Sequence, residues 1–283
     1  MEGTPFTGVG LGLRRPHLEA VARDGARGVP FWEICPENVL GEGGRHARCT
    51  RAILERDAAL THGLAISVGG FDPWDAAYLR DLGAFLTRTG TPWHSEHLCF
   101  TSVDGTCLHD LLPLPFTKDA ARHTIGRVKE LQARLPVPLV LENITYYAPL
   151  GAGEWDEAQF LTEVLEGADA GWLLDINNVY VNGLNFGFDP REWLARMPLH
   201  RVVQMHVAGH GRFGDLVIDT HGSPVIPEVA ELMAWTLRRL GRRVPVLLER
   251  DNNLPELEEL LTERASLQAV YDAAFTEEPA FHA

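Results

Sequence analysis

The sequence predicts an α/β fold, a (β/α)8 TIM barrel, as a single domain over residues 1–283. Three observations predict it. Eight short apolar runs recur along the chain, and amphipathic stretches with a helical period lie between them. No linker, short-period repeat or low-complexity tract divides the sequence. Near-continuous apolar strands alternating with helices indicate a parallel sheet covered by helices. Eight such units in about 250 residues fit a closed barrel. A doubly wound open sheet is the competing architecture, and no GxGxxG-type phosphate loop supports it.

The strands are expected in chain order as follows. The first lies in "TGVGLGL" (7–13) and the second in "PFWEICPE" (30–37). The third lies in "AALTHGL" (58–64), with "LAISVGG" just beyond it as the alternative. "TPWHSEHL" (91–98), "VPLVLEN" (137–143) and "GWLLDINN" (171–178) give the next three, and "RVVQMHV" (201–207) and "VPVLLER" (244–250) complete the eight. The helical patterns are "PHLEAVARDGAR", "WDAAYLRDLGAFLTRT", "TKDAARHTIGRVKELQARL", "WDEAQFLTEVLEGA" and "IPEVAELMAWTLRRLG". Asp72 and Thr117 precede two of them as N-cap candidates, able to satisfy free backbone N–H groups of a first turn.

Composition bounds the function. Hydrophobic residues make up 45% and charged residues 23%, as in soluble globular proteins. No apolar run approaches the roughly 20 residues needed to cross a bilayer, so no membrane role is expected. The opening "MEGTPFTGVGLGLRR" lacks a basic region followed by a long apolar stretch, which predicts a cytoplasmic protein. The cysteines, Cys35, Cys49, Cys99 and Cys107, form no CxxC pair and read as thiols in a reducing compartment. Cys35 and Cys99 lie near strand ends, where a role at a site mouth stays open. A net charge of −14 argues against nucleic acid as a partner, and the arginines of "LRRLGRR" (237–243) read as a solvated helix end.

Active sites of such barrels form at the C-terminal ends of the strands. Ionisable residues interrupt the apolar runs there: His62, His97, Glu142, Asp175, His206 and Glu249, from the third strand to the eighth. Each has an ordinary explanation by itself. A strand histidine is commonly a satisfied core residue, the carboxylates of "VLEN" and "LLDINN" could cap helices, and Glu249 could pair with Arg250. Together they would repel and lose hydration unless something paired them. Divalent metal ions do this, and carboxylates with neutral imidazoles suit iron, zinc and manganese. Beyond the seventh strand, "DTH" places Asp219 and His221 two residues apart, on one side of an extended segment. They could hold a further ion, and Asn178, three residues after Asp175, is placed to join them.

The order of these residues resembles the trinuclear metal cluster of endonuclease IV and the wider xylose-isomerase-like barrels. That resemblance implies that Glu142 bridges two ions, one held by His62 and His97 and the next by Asp175, His206 and Glu249. It gives the third ion to Asp219 and His221. Asn178 stands where endonuclease IV has a histidine. A closer resemblance is carried by "HLCF" (97–100), "LENITYY", "LLDINNVYVNGLNFGFDP", "QMHVAGH", "IDTHG" and "LLERDNN". These strings are similar to the multinuclear non-heme iron-dependent oxidative enzymes, methanobactin oxidase-like, from "GVGLGLR" to "ERDNN". In that family the "DINN" asparagine is usual.

The family resemblance implies an oxidoreductase with two or three iron ions per chain and dioxygen as co-substrate. The substrate would be a ribosomally synthesised precursor peptide, modified at cysteine, and a separate partner protein would recognise its leader. Glu142, Asp175 and His206 would serve the chemistry, and the resemblance adds His210 of "HVAGH" to the site. Two other functions compete. A zinc-dependent phosphodiesterase like endonuclease IV should carry a basic groove, which −14 disfavours. A divalent-metal sugar isomerase fits the "DTH" element but not the long strings.

Overall fold

Each of the eight apolar runs supplies one strand to a closed parallel barrel in the computed structural model, which describes residues 6–148, 151 and 153–276. The reading of residues 1–283 as one domain, and the start of the N-terminal segment, extend over positions outside the described residues. The barrel strands are β1 (Gly8–Gly12), β2 (Trp32–Ile34), β3 (Ala59–Gly63) and β4 (His94–His97). They continue with β7 (Leu139–Glu142), β8 (Gly171–Asp175), β9 (Val202–Ala208) and β12 (Pro245–Glu249). Each pairs with its sequence neighbours, and β1 closes the ring by pairing with β12. The other strands form two hairpins above the C-terminal rim: β5 (Phe100–Val103) with β6 (Thr106–Leu112), and β10 (Gly211–Phe213) with β11 (Leu216–Ile218).

Helices α1 (Leu18–Asp24), α2 (Gly44–Leu54), α3 (Ala76–Thr89), α4 (Lys118–Gln132) and α5 (Glu157–Ala168) follow the first five barrel strands. Then come α6 (Ile176–Phe186), α7 (Pro190–Ala195), α8 (Pro227–Leu240) and α9 (Leu257–Ala273). Thr117 caps α4 as expected, accepting from Ala120 N. Asp72 does not cap α3. Asp75 does, through Ala77 N and Tyr78 N, while Asp72 accepts from Ser102 Oγ and Gly105 N in the β5–β6 turn. The third strand is "AALTHGL", not "LAISVGG". The sixth run is shorter than 171–178 suggested: its strand stops at Asp175, which caps α6 by accepting from Asn178 N. The arginines of 237–243 lie at the end of α8 and just beyond it.

Two apolar layers arise from strand alternation. Val9, Leu11, Leu141, Met205, Val207, Val246 and Leu248 point outward and form the main core with the helices. Phe31, Leu60, Trp93, Val140, Leu173, Val203 and Leu247 point inward and plug the barrel floor. Gly10, inward on β1, makes room for this plug, because a Cβ there would strike the Phe31 ring. A bulge in β9 then sets up the site. Trp172 pairs with Val202 but Leu173 pairs with Gln204, so Val203 is left over. An extra residue shifts the alternation. Val203 faces in below the bulge, and Gln204 and His206 face in above it.

Candidate metal centre

Above the apolar floor lies a layer of buried polar side chains. Glu33, His62, Ser95, His97, Glu142, Asp175, Gln204, His206 and Glu249 project into the barrel, each with little or no exposure. The Nε2 atoms of His62 and His97 lie 3.2 and 3.4 Å from Glu142 Oε2 and 3.3 Å from one another. His206 Nδ1 lies 3.1 Å from Glu249 Oε2 and 3.6 Å from Glu142 Oε1. Four overlapping sets of converging donors result: His62/His97/Glu142, Glu142/Asp175/His206, Glu33/His206/Glu249 and Asp175/His221/Glu249.

Buried polar atoms are ordinarily hydrogen-bonded. Here Glu142 Oε2, Asp175 Oδ2 and His206 Nδ1 are buried with no hydrogen-bond partner. Asp175 divides its work. Oδ1 accepts from Asn178 N, 2.7 Å away, and Oδ2 is left facing the cluster. The capping reading and the ligand reading of this residue are therefore compatible. Glu249 does not pair with Arg250, which instead donates to Glu263. These unpaired oxygen and nitrogen donors fit multivalent cations. The described cysteines supply no ligand to the four sets, and all are free thiols. Cys99 is buried, and Cys35 donates to Glu37 on the rim.

The outer part of the site is a loop rather than a strand. His221 has φ +47°, a conformation that costs free energy in a non-glycine residue and persists only where its surroundings hold it. Asp251 N and Asn252 N both donate to His221 O, and Asn252 Nδ2 donates to Thr220 O. The "DNN" segment thus clamps "DTH". His221 Nε2 is 2.8 Å from Asp219 and its Nδ1 is 2.9 Å from Asp251. Asp219 accepts from Asn177 Nδ2 and enters none of the converging sets among the described residues. Asn178 Oδ1 accepts from Thr145 and its Nδ2 donates to Asn143 O. His210, half-buried, bonds Asn177 Oδ1 at 2.8 Å and stacks on Tyr180.

Electrostatics divides the cluster. Burial pushes His62 well below the usual imidazole range and His97 down to about 4. Burial also lifts Glu142 well above the carboxylate range, and burial with Asp219 lifts Asp175 to about 7. His206 and His221 go the other way. Burial disfavours their charge, but Glu33, Glu249 and Glu142 around His206, and Glu249 and Asp219 around His221, outweigh it and hold both imidazoliums. Glu249 is correspondingly held low: burial opposes its charge, and His221 and His206 prevail. Without a metal the cluster is balanced by protons on nitrogen and oxygen atoms that a cation would displace.

Several residues here escaped the rim pattern. Glu33 sits mid-strand in "PFWEICPE", the same signal of a polar residue in an apolar run, but not at the strand end. Ser95 and Gln204 are uncharged, and the clamp formed by Asp251 and Asn252 depends on a contact between distant loops.

The fold is that of xylose-isomerase-like TIM barrels, with carboxylates and imidazoles gathered at the C-terminal mouth. Solved structures with this fold include a xylose isomerase domain protein from Alicyclobacillus acidocaldarius (TM-score 0.57, 16% identity, 95% of this chain and 99% of that one). D-psicose 3-epimerase from Clostridium cellulolyticum is another (TM-score 0.56, 13% identity, 95% and 98%). The chain belongs to the RiPP precursor modification enzymes MbnB/TglH/ChrH, whose family model matches residues 8–272. It is similar to a UPF0276 protein of Pseudomonas aeruginosa (strain PAO1), 47% identical over 259 residues, 91% of this chain and 90% of that protein. A UPF0276 protein of Caulobacter vibrioides is 41% identical over 259 residues, 92% of each.

Proposed function

We propose that the chain is a multinuclear iron- and dioxygen-dependent oxidoreductase that modifies a ribosomally synthesised precursor peptide at cysteine. The observation that carries this reading is the overlap of the donor sets: Glu142, Asp175, His206 and Glu249 each belong to two or more of them. Shared carboxylates bring cations close together, which a single-ion site does not need. Iron bound there would supply electron transfer to dioxygen and an open coordination position for a substrate thiolate.

The chain's own residues hold and shield. His62 and His97 present Nε2 atoms to Glu142 Oε2, and Ser95 Oγ, 2.9 Å from His62 Nδ1, fixes that ring. The Phe31–Trp93–Leu247 floor keeps water from entering beneath the cluster. His210 acts through Asn177 on Asp219 and so on the His221 loop. A cavity of about 1090 Å³ at the rim runs from the β3–α3 loop and the β5–β6 hairpin across to Asp251 and Asn252. Its breadth suits a peptide segment better than a single small molecule. A leader-recognition partner protein and a cytoplasmic location belong to the same proposal. Among the described residues no helix is long and apolar enough to cross a membrane.

The test is metal analysis and Mössbauer spectroscopy on anaerobically prepared protein. Coexpression with a cysteine-containing peptide encoded nearby, followed by mass spectrometry with and without O₂, completes it. At least two irons per chain and an O₂-dependent mass change are expected. Stoichiometric zinc, with activity that iron does not restore, refutes the oxidase reading.

A further inference from the structure

We infer that Glu33 is a positioning residue that dictates which nitrogen of His206 faces the metal. The inference rests on the metal-centre reading and adds to it a group that works from behind a ligand. Glu33 projects from β2 across the barrel, and its Oε2 lies 3.0 Å from His206 Nε2. His206 Nδ1, on the opposite edge of the ring, looks toward Glu249 and Glu142 and makes no hydrogen bond.

The orientation of Gln204 is determined from below. Trp93 Nε1–H can only donate, and it donates to Gln204 Oε1 at 2.9 Å. The amide nitrogen of Gln204 must therefore point the other way, where it donates to Glu33 Oε2 at 2.6 Å. That same nitrogen is 3.1 Å from His206 Nε2. Two arrangements compete for the ring. With Nε2 bare, it accepts from Gln204 and Nδ1 carries the proton, which blocks the edge facing Glu249. With Nε2 protonated, it donates to Glu33 and the Nδ1 lone pair is presented to a cation. Glu33 Oε2 is already the acceptor of the Gln204 N–H, and in that role it takes a second N–H from the ring, so Glu33 selects the second arrangement. Histidine ligands are commonly fixed in this way by a carboxylate on the far nitrogen, and loss of such partners weakens metal binding about 10–100-fold.

Glu33→Gln tests the assignment, because the donor Gln204 turns the amide oxygen toward Nε2, where it accepts more weakly than the carboxyl group it replaces. Glu33→Asp keeps the charge on a shorter arm. The probes are Fe(II) affinity by chelator competition and, in Zn(II)-loaded protein as a diamagnetic stand-in, the ¹H–¹⁵N signal of His206 Nε2–H. In Glu33→Gln the Fe(II) count at saturation is expected to stay at the wild-type value. One class of sites should weaken about 10–100-fold, and the carboxylate-bonded Nε2–H signal should move upfield or vanish. Glu33→Asp should recover part of both changes. A count lower by one at saturation would instead make Glu33 a ligand. Unchanged affinity and an unchanged signal would leave it a packing residue, and either result overturns the inference. A wild-type protein that takes up no metal refutes the metal-centre reading itself.

Discussion

Glu142→Gln is the most demanding perturbation of this centre, because one buried carboxylate serves two donor sets. Its Oε2 faces His62 and His97 and its Oε1 faces His206, so the substitution keeps the shape and removes a negative charge between two cation positions. A unit charge about 4 Å from a cation at an effective dielectric constant of about 20 contributes about 4 kcal/mol. The ions are at least divalent, so losing it should weaken each of the two by roughly a thousandfold or more. The assay is iron per chain after gel filtration through a mild chelator. Wild type should keep its inner pair, the two ions on either side of Glu142, and Glu142→Gln should elute with both positions largely empty.

Misfolding is separable from ligand loss. Burial raises the Glu142 carboxyl in the metal-free protein, so the folded form binds its proton more tightly than the unfolded chain does. That contribution to stability is present at low pH and is lost as pH rises through the folded value. Glutamine has no proton to lose. Metal-free Glu142→Gln should therefore melt no lower than metal-free wild type at pH 8. Full metal occupancy in the variant would show that Glu142 bridges nothing, and the charge argument would fail with it.

The other expectations concern neighbouring parts of the same centre. His221→Ala should lower the metal count by about one and leave the inner pair, whereas His206→Ala should disturb the pair; an unchanged count in His221→Ala would refute this division. Metal uptake should strengthen by about tenfold or more per pH unit between pH 6 and 8 and release protons in weak buffer. The reason is that His206, His221 and Glu142 hold protons that ligation displaces, and Asp175 titrates at about 7. A pH-independent affinity would count against it. Away from the centre, burial lifts Glu157 to about 8, so wild-type stability should fall as pH rises from the usual carboxylate range through that value. Glu157→Gln should escape this loss. Discounted for partial exposure, the gain at pH 8.5 should be on the order of 1 kcal/mol, roughly 2–4 °C in Tm, disappearing near pH 4.

The barrel was legible because its strands are apolar on both faces and its helices on one, a contrast that survives in a single sequence. Boundaries set by side-chain hydrogen bonds were less legible. Asp72 and Asp75 are equally good caps by type, and only the β5–β6 turn, which occupies Asp72 through Ser102 and Gly105, decides between them. The two hairpins carry no apolar pattern in the sequence: "GRF" is three residues with none buried, and "FTSV" buries one position of four. Asp175 shows the opposite difficulty. Strand end, helix cap and cluster donor are one residue, and its two oxygens serve different roles.

The positions of the site residues followed from one rule, that ionisable groups at strand ends in apolar runs have to face something. The rule identifies residue types at a rim but not which atoms meet, and His206 shows why. In an unbroken strand, side chains alternate, so Val203 and His206 would lie on opposite faces. The bulge that leaves Val203 unpaired puts both inside, one in the floor and one in the cluster. A bulge depends on the partner strand, so β9 alone does not reveal it. The same holds for the outer loop. "DTH" announces donors, but the positive φ of His221 is sustained by Asp251 and Asn252, which lie some 30 residues later in the chain. That clamp ties the outer donors to β12 through Glu249, two residues before Asp251. A cation at the outer set therefore draws on Asp175 and Glu249, which also belong to the inner sets, so His221→Ala should weaken the inner pair without emptying it.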